Sequence, residues 1–107
     1  SGPFVRLFAN GKEVGDDVPE GDLDLEVRVD AAPWVDVDRV ELWVDGEIAE
    51  TWTGPFAAGA KRFDQRTKKR LARGDFVIAV ARGSKPMVYL HRPGARPFGF
   101  TNPIFVR

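Results

Sequence analysis

The side chains able to do chemistry are few and badly spaced for it. His91 is the only histidine among 107 residues, and there is no cysteine. A structural zinc site takes four ligands and a catalytic one takes three, so His91 alone supplies neither. Ser84 follows Gly83 but lacks a Gly-x-Ser-x-Gly elbow, and the single histidine has no evident orienting partner. The acidic run Asp16, Asp17, Glu20, Asp22 and Asp24 is interrupted by Val18 and Pro19. It has neither the alternating register nor the turn glycine and bidentate Glu of a calcium loop, and reads as a solvated loop. Gly54 to Gly59 lacks the Lys-Ser/Thr and helix of a phosphate loop. The expectation is a chain with no catalytic, cofactor-binding or metal-ligating residues and no enzymatic activity of its own.

Charge narrows the partners. Lys and Arg total 16, as do Asp and Glu, so the net charge is zero. A domain that grips nucleic acid or an anionic bilayer by charge alone should be basic overall. The layout is uneven: residues 1–53 carry 14 acids and 4 bases, and residues 54–107 carry 2 acids and 12 bases. The densest basic stretch is Arg62, Arg66, Lys68, Lys69, Arg70 and Arg73. Phe63 is its only aromatic, which is poor provision for stacking bases. No nucleic-acid partner is expected. The longest apolar run, Phe76 to Ala81, is far below the ~20 residues of a spanning helix, so no membrane insertion is expected.

The elements that must position these residues are strands. Gly and Pro together number 19 and punctuate the chain roughly every ten residues, the rhythm of a sandwich or barrel. Strands are expected at Phe4–Ala9, Leu23–Val29, Arg39–Val44, Ile48–Trp52, Lys61–Lys69, Phe76–Ala81 and Phe100–Val106. Over Lys61 to Lys69 a short helix at Asp64 to Arg73 competes with the strand. Leu23, Leu25, Val27 and Val29 alternate with Asp24, Glu26 and Arg28, as in a strand with one wet face. Asp45-Gly46 asks for a tight type I′ hairpin. Phe76–Ala81, apolar on both faces, reads as central, and Pro103 marks an edge or a bulge. The fold expected is an all-β, immunoglobulin-like or fibronectin-type antiparallel sandwich of about seven strands, without a disulfide. In such a sandwich the fifth strand lies beside the second. Arg62, Arg66 and Lys68 would then face Asp24 and Glu26, and the charge division would become cross-strand pairing.

The tryptophans are the more informative candidates. If Val40, Leu42 and Val44 face inward, Trp43 faces out, the hairpin sets Ile48 opposite it, and Trp52 follows on the same face. With Trp34 in the preceding loop, Trp34, Trp43, Ile48 and Trp52 form a candidate interaction surface. The alternative is that the Ser84–Pro97 excursion, with Met87 and Tyr89, covers that patch.

The stretch Trp34 to Gly46 resembles the third-strand hairpin of the immunoglobulin-like domain that follows the catalytic domain in bacterial PHP-type metal-dependent phosphoesterases of the CehA/McbA kind. Gly2-Pro3-Phe4-Val5 is similar to the joint after that catalytic domain. Gly21 to Val29 resembles its second strand and Phe98 to Val106 its closing strand. The resemblance implies that residues 1–107 are a single sandwich domain excised from the C-terminus of a larger protein. It implies an accessory role, packing on the N-terminal catalytic domain or binding a partner, in a secreted or envelope-associated protein. The family's metal ligands belong to the catalytic domain, and none of those motifs occurs here. A carbohydrate- or cell-surface-binding module is the alternative expectation.

Overall fold

The computed structural model describes residues 2–13, 17–85 and 96–107. Among these residues nine strand segments form two antiparallel sheets: β1 (Phe4–Ala9), β2 (Lys12–Glu13), β3 (Gly21–Asp30), β4 (Arg39–Val44), β5 (Glu47–Thr53), β6 (Lys61–Leu71), β7 (Phe76–Arg82), β8 (Phe98–Phe100) and β9 (Ile104–Phe105). The first sheet has the order β2-β1-β3-β6; the second runs β5-β4-β7-β8, with β9 also on β7. This is a β-sandwich, and the segment over Lys61 to Lys69 is strand rather than helix. β6 lies beside β3, as the charge pattern asks, and β7 is central in its sheet.

Period-two patterning builds the core. Val5, Leu7, Ala9, Leu23, Leu25, Val27 and Val29 of the first sheet meet Val40, Leu42, Val77, Ala79, Ala81 and Ile104 of the second. Val18 and Val106, joined by a parallel bridge, close one end of that layer. Two turns need left-handed backbone. Asp45 and Gly46 have φ of 54° and 82°, and Asn10 and Gly11 have 50° and 80°, the type I′ geometry that matches strand twist.

The closing strand departs from expectation. It is not continuous from Phe100 to Val106 but two segments on β7, with register Val80↔Phe100 and then Val77↔Ile104. One extra residue is taken up between them, where Pro103 has no N–H for the ladder. Thr101 bridges the gap: its N–H donates to Ala79 O (3.0 Å), and its Oγ1 accepts from Ala79 N (3.1 Å).

Candidate functional site

Two β-bulges decide where the candidate residues point. The first lies between Leu42 and Trp43 of β4. Leu42 pairs with Glu50 and Trp43 with Ile48, so Ala49 is the extra residue on β5. Beyond the bulge the faces of β5 exchange. Trp43 and Ile48 share the outer face as expected, but Trp52 pairs with buried Val40 and turns inward. There it packs on the core and meets Phe63 edge-on, with ring centroids 5.2 Å apart; Phe56 meets the same ring at 5.1 Å. The expected Trp43/Ile48/Trp52 cluster is therefore divided. Trp34 stands apart from both. It sits in the 31–38 loop, 61% exposed, at a cleft shared with Phe56, Arg62 and Lys85. Met87, Tyr89 and His91 lie outside the described residues.

The second bulge lies between Val29 and Asp30, where Arg62 is the extra residue on β6. Arg62 does not join the outward row of cations, contrary to expectation. It is buried and donates to the carbonyls of Gly59, Val35 and Ala32, tying the 31–38 and 54–60 loops together. The other basic residues do pair across strands. Arg66 reaches Glu26 (3.7 Å), Lys68 reaches Asp24 (3.7 Å) and Arg70 reaches Asp22 (3.6 Å). Lys69 points the other way and joins Glu50 (3.2 Å), which also accepts from Thr67 Oγ1 (2.7 Å). The stretches Lys68 to Arg73 and Asp16 to Asp22 are where unpaired charge is expected; there Lys68, Lys69 and Arg70 are engaged and Asp17 pairs with Arg107, Arg73 forms no ion pair among the described residues, and Asp16 lies outside them.

The outer face of the second sheet is the feature the sequence reading missed. Register puts Trp43, Phe76, Ile78, Val80, Phe98, Phe100, Phe105 and Ile48 on it together. Ile48, Phe98, Phe100 and Phe105 keep 41–63% of their surface exposed. The signal was present in Phe76–Ala81: its larger residues Phe76, Ile78 and Val80 alternate with Val77, Ala79 and Ala81. The larger set faces out. Phe98 and Phe100, either side of Gly99, repeat the pattern. Gly99 itself faces in, and a methyl group there would overlap the Pro3 carbonyl oxygen.

Near the Arg39–Arg82 end of that face lies Glu41, only 3% exposed. Burial pushes its carboxyl up. Three donors outweigh burial and hold it below the usual carboxylate range: Trp43 Nε1 (3.0 Å), Arg82 Nε (3.1 Å) and Arg39 Nε (2.6 Å). Among the described residues no group of three or more His, Asp or Glu side chains is placed to hold a metal ion, and no helix is long and apolar enough to cross a membrane. The chain matches no family model, no curated protein and no solved structure.

Proposed function

We propose that this chain is a non-catalytic accessory domain that docks on a protein surface through the outer face of its second sheet. The carrying observation is the apolar surface formed by exposed Ile48, Phe98, Phe100 and Phe105 around half-buried Trp43 and Ile78, with Val80 buried beneath it. Apolar patches of this kind mark interaction surfaces. From strand spacing and rise, the face covers roughly 400 Å². Covering it would bury roughly 800 Å² over both partners, short of the ~1,200–2,000 Å² of independent complexes but within the ~600–1,500 Å² of domains in one chain. A tethered neighbour is favoured, because tethering raises its effective concentration.

The sequence likeness suggests that neighbour: the catalytic domain of a PHP-type metal-dependent phosphoesterase, in a secreted or envelope-associated protein. Gly2 and Pro3 run against Phe98 and Gly99, so a domain joined there would sit at the rim of the aromatic face. Mixing the chain with the separately produced catalytic domain tests this by sedimentation. Phe100→Asp and Trp43→Ala should weaken association, while Lys68→Ala on the other sheet should not. Equal association of all four proteins, wild type included, removes the face from the role. A second reading, a carbohydrate-binding module, draws support from exposed Trp34 at its polar cleft. A flat tryptophan-fluorescence titration with soluble glycans dismisses it.

A further inference from the structure

The polar interruption in the aromatic face carries excess positive charge. Arg39 and Arg82 are direct cross-strand partners, a placement in which like charges repel. Glu41 relieves this by accepting the Nε of each, but one carboxylate between two guanidiniums leaves one charge over. The Nη donors of both arginines have no acceptor among the described residues. Arg39 and Arg82 line a pocket of about 300 Å³ together with Arg96, Ser84, Asp38 and Phe98. Asp38 also accepts the Ser84 hydroxyl. Three arginines against Glu41 and Asp38 keep the pocket net positive. Fixing each Nε fixes the guanidinium plane, which prepares the Nη edge for an oxyanion. Arg82 lies 4.9 Å over the Phe98 ring, so one wall is apolar.

We infer that this pocket receives the carboxylate of an acidic side chain on a partner protein, whose flanking apolar residues meet Phe98 and Phe100. The inference rests on the docking role proposed above and specifies the partner's chemistry. A sugar acid fits less well, because the Phe98 and Phe100 rings are tilted by 48° and offer no common plane for stacking. A second copy of this chain fits poorly too, since a twofold contact would bring two cationic centres onto one face.

The test is a nuclear magnetic resonance titration of the intact chain with a blocked peptide carrying one Glu between Leu residues, and with its Gln counterpart. The Glu peptide should move the Arg39 and Arg82 Nε–H signals and bind about tenfold more tightly than the Gln peptide. That preference should shrink in high salt. Arg96→Gln, which removes no hydrogen bond among the described residues, should erase most of the preference. Arg82→Gln should do the same, and Arg96→Gln stands in if that variant unfolds. Equal binding of the two peptides, or a preference untouched by Arg96→Gln, overturns the inference. Glucuronate or inorganic phosphate binding as tightly as the Glu peptide overturns the protein assignment in favour of a small anion. If Phe100→Asp abolishes association with the catalytic domain while Arg96→Gln does not, the docking role stands and only the carboxylate pocket falls. If the wild-type chain fails to associate at all, the docking role itself is removed.

Discussion

The two sheets of this sandwich present opposite outer faces. On the first sheet, the outward residues of β3 and β6 form a ladder: Asp22 against Arg70, Asp24 against Lys68, Glu26 against Arg66 and Arg28 against Asp64. Two aromatics lie on this face: Phe4 is exposed at one end of β1, and Phe8 is flanked by the guanidiniums of Arg6 (5.0 Å) and Arg28 (4.8 Å). On the second sheet Phe98, Phe100 and Phe105 are left open, and charge is gathered around the buried carboxylate of Glu41. Charge dispersed along strands in water sets register and solubility but holds little energy. Charge concentrated under apolar cover is costly to disturb, and apolar surface left bare calls for a partner. The contrast separates a charged, solvated face from an apolar one, the face proposed above for docking.

The largest expected effect comes from breaking the concentrated side. Glu41→Ala strands Arg39 and Arg82 against each other and should cost about 2–3 kcal/mol in urea denaturation. Acid should expose the same dependence. The Glu41 carboxyl lies below its ordinary value when folded, so its stabilisation is complete above that ordinary value, about 4.5, and is lost as pH falls through the lowered one. Glu41→Gln should flatten that acid limb. The first face should show less of it. Glu26 is lowered, because the Arg28 donor and neighbouring charge outweigh burial, and so it loses stability in acid. Asp64 is raised by burial and by Glu26, and so it gains.

A smaller loss, about 1–2 kcal/mol, is expected for Trp43→Ala, which removes half-buried ring area and one donor to Glu41. Lys68→Ala should cost under about 1 kcal/mol, and less in high salt, because its pair with Asp24 is exposed. Phe100→Ser should change stability least, within about 0.5 kcal/mol. Its effect should appear as weaker adsorption to an apolar column. A loss of several kcal/mol there would mean the ring packs as core, and the distinction between the faces would lapse.

Much of this fold was legible in the sequence. The clean alternation from Leu23 to Val29 gave the strand and its buried face, and Asp45-Gly46 gave the hairpin. The expected sandwich topology put β6 beside β3, and the charge division then read as cross-strand pairing between them. What escaped was set by single inserted residues. Ala49 and Arg62 each occupy a bulge, and each reverses which face its neighbours take. Period-two reasoning carries straight through such a position and so misassigned Trp52 and Arg62. The aromatic face escaped for a different reason. Its residues come from five strands that only tertiary pairing brings together. The expected continuous closing strand, Phe100 to Val106, also left Phe98 outside it and put Phe105 on the face opposite Phe100.

The broken closing strand has a consequence for how copies of this chain behave when crowded. A strand whose edge faces solvent is a template on which another chain can add, the first step toward fibrous aggregates. Each outermost strand here spoils that template differently. β2 is only two residues long, β6 carries a row of cations, β5 is kinked at Ala49, and β8 and β9 are parted around Pro103, which offers no N–H. Thr101 spends its own N–H and hydroxyl on Ala79, so the gap is closed from within and presents no ready partner for a foreign strand. Replacing Pro103 by a residue with an N–H would restore that docking rail, and such a chain should deposit thioflavin-positive aggregate sooner on prolonged stirring.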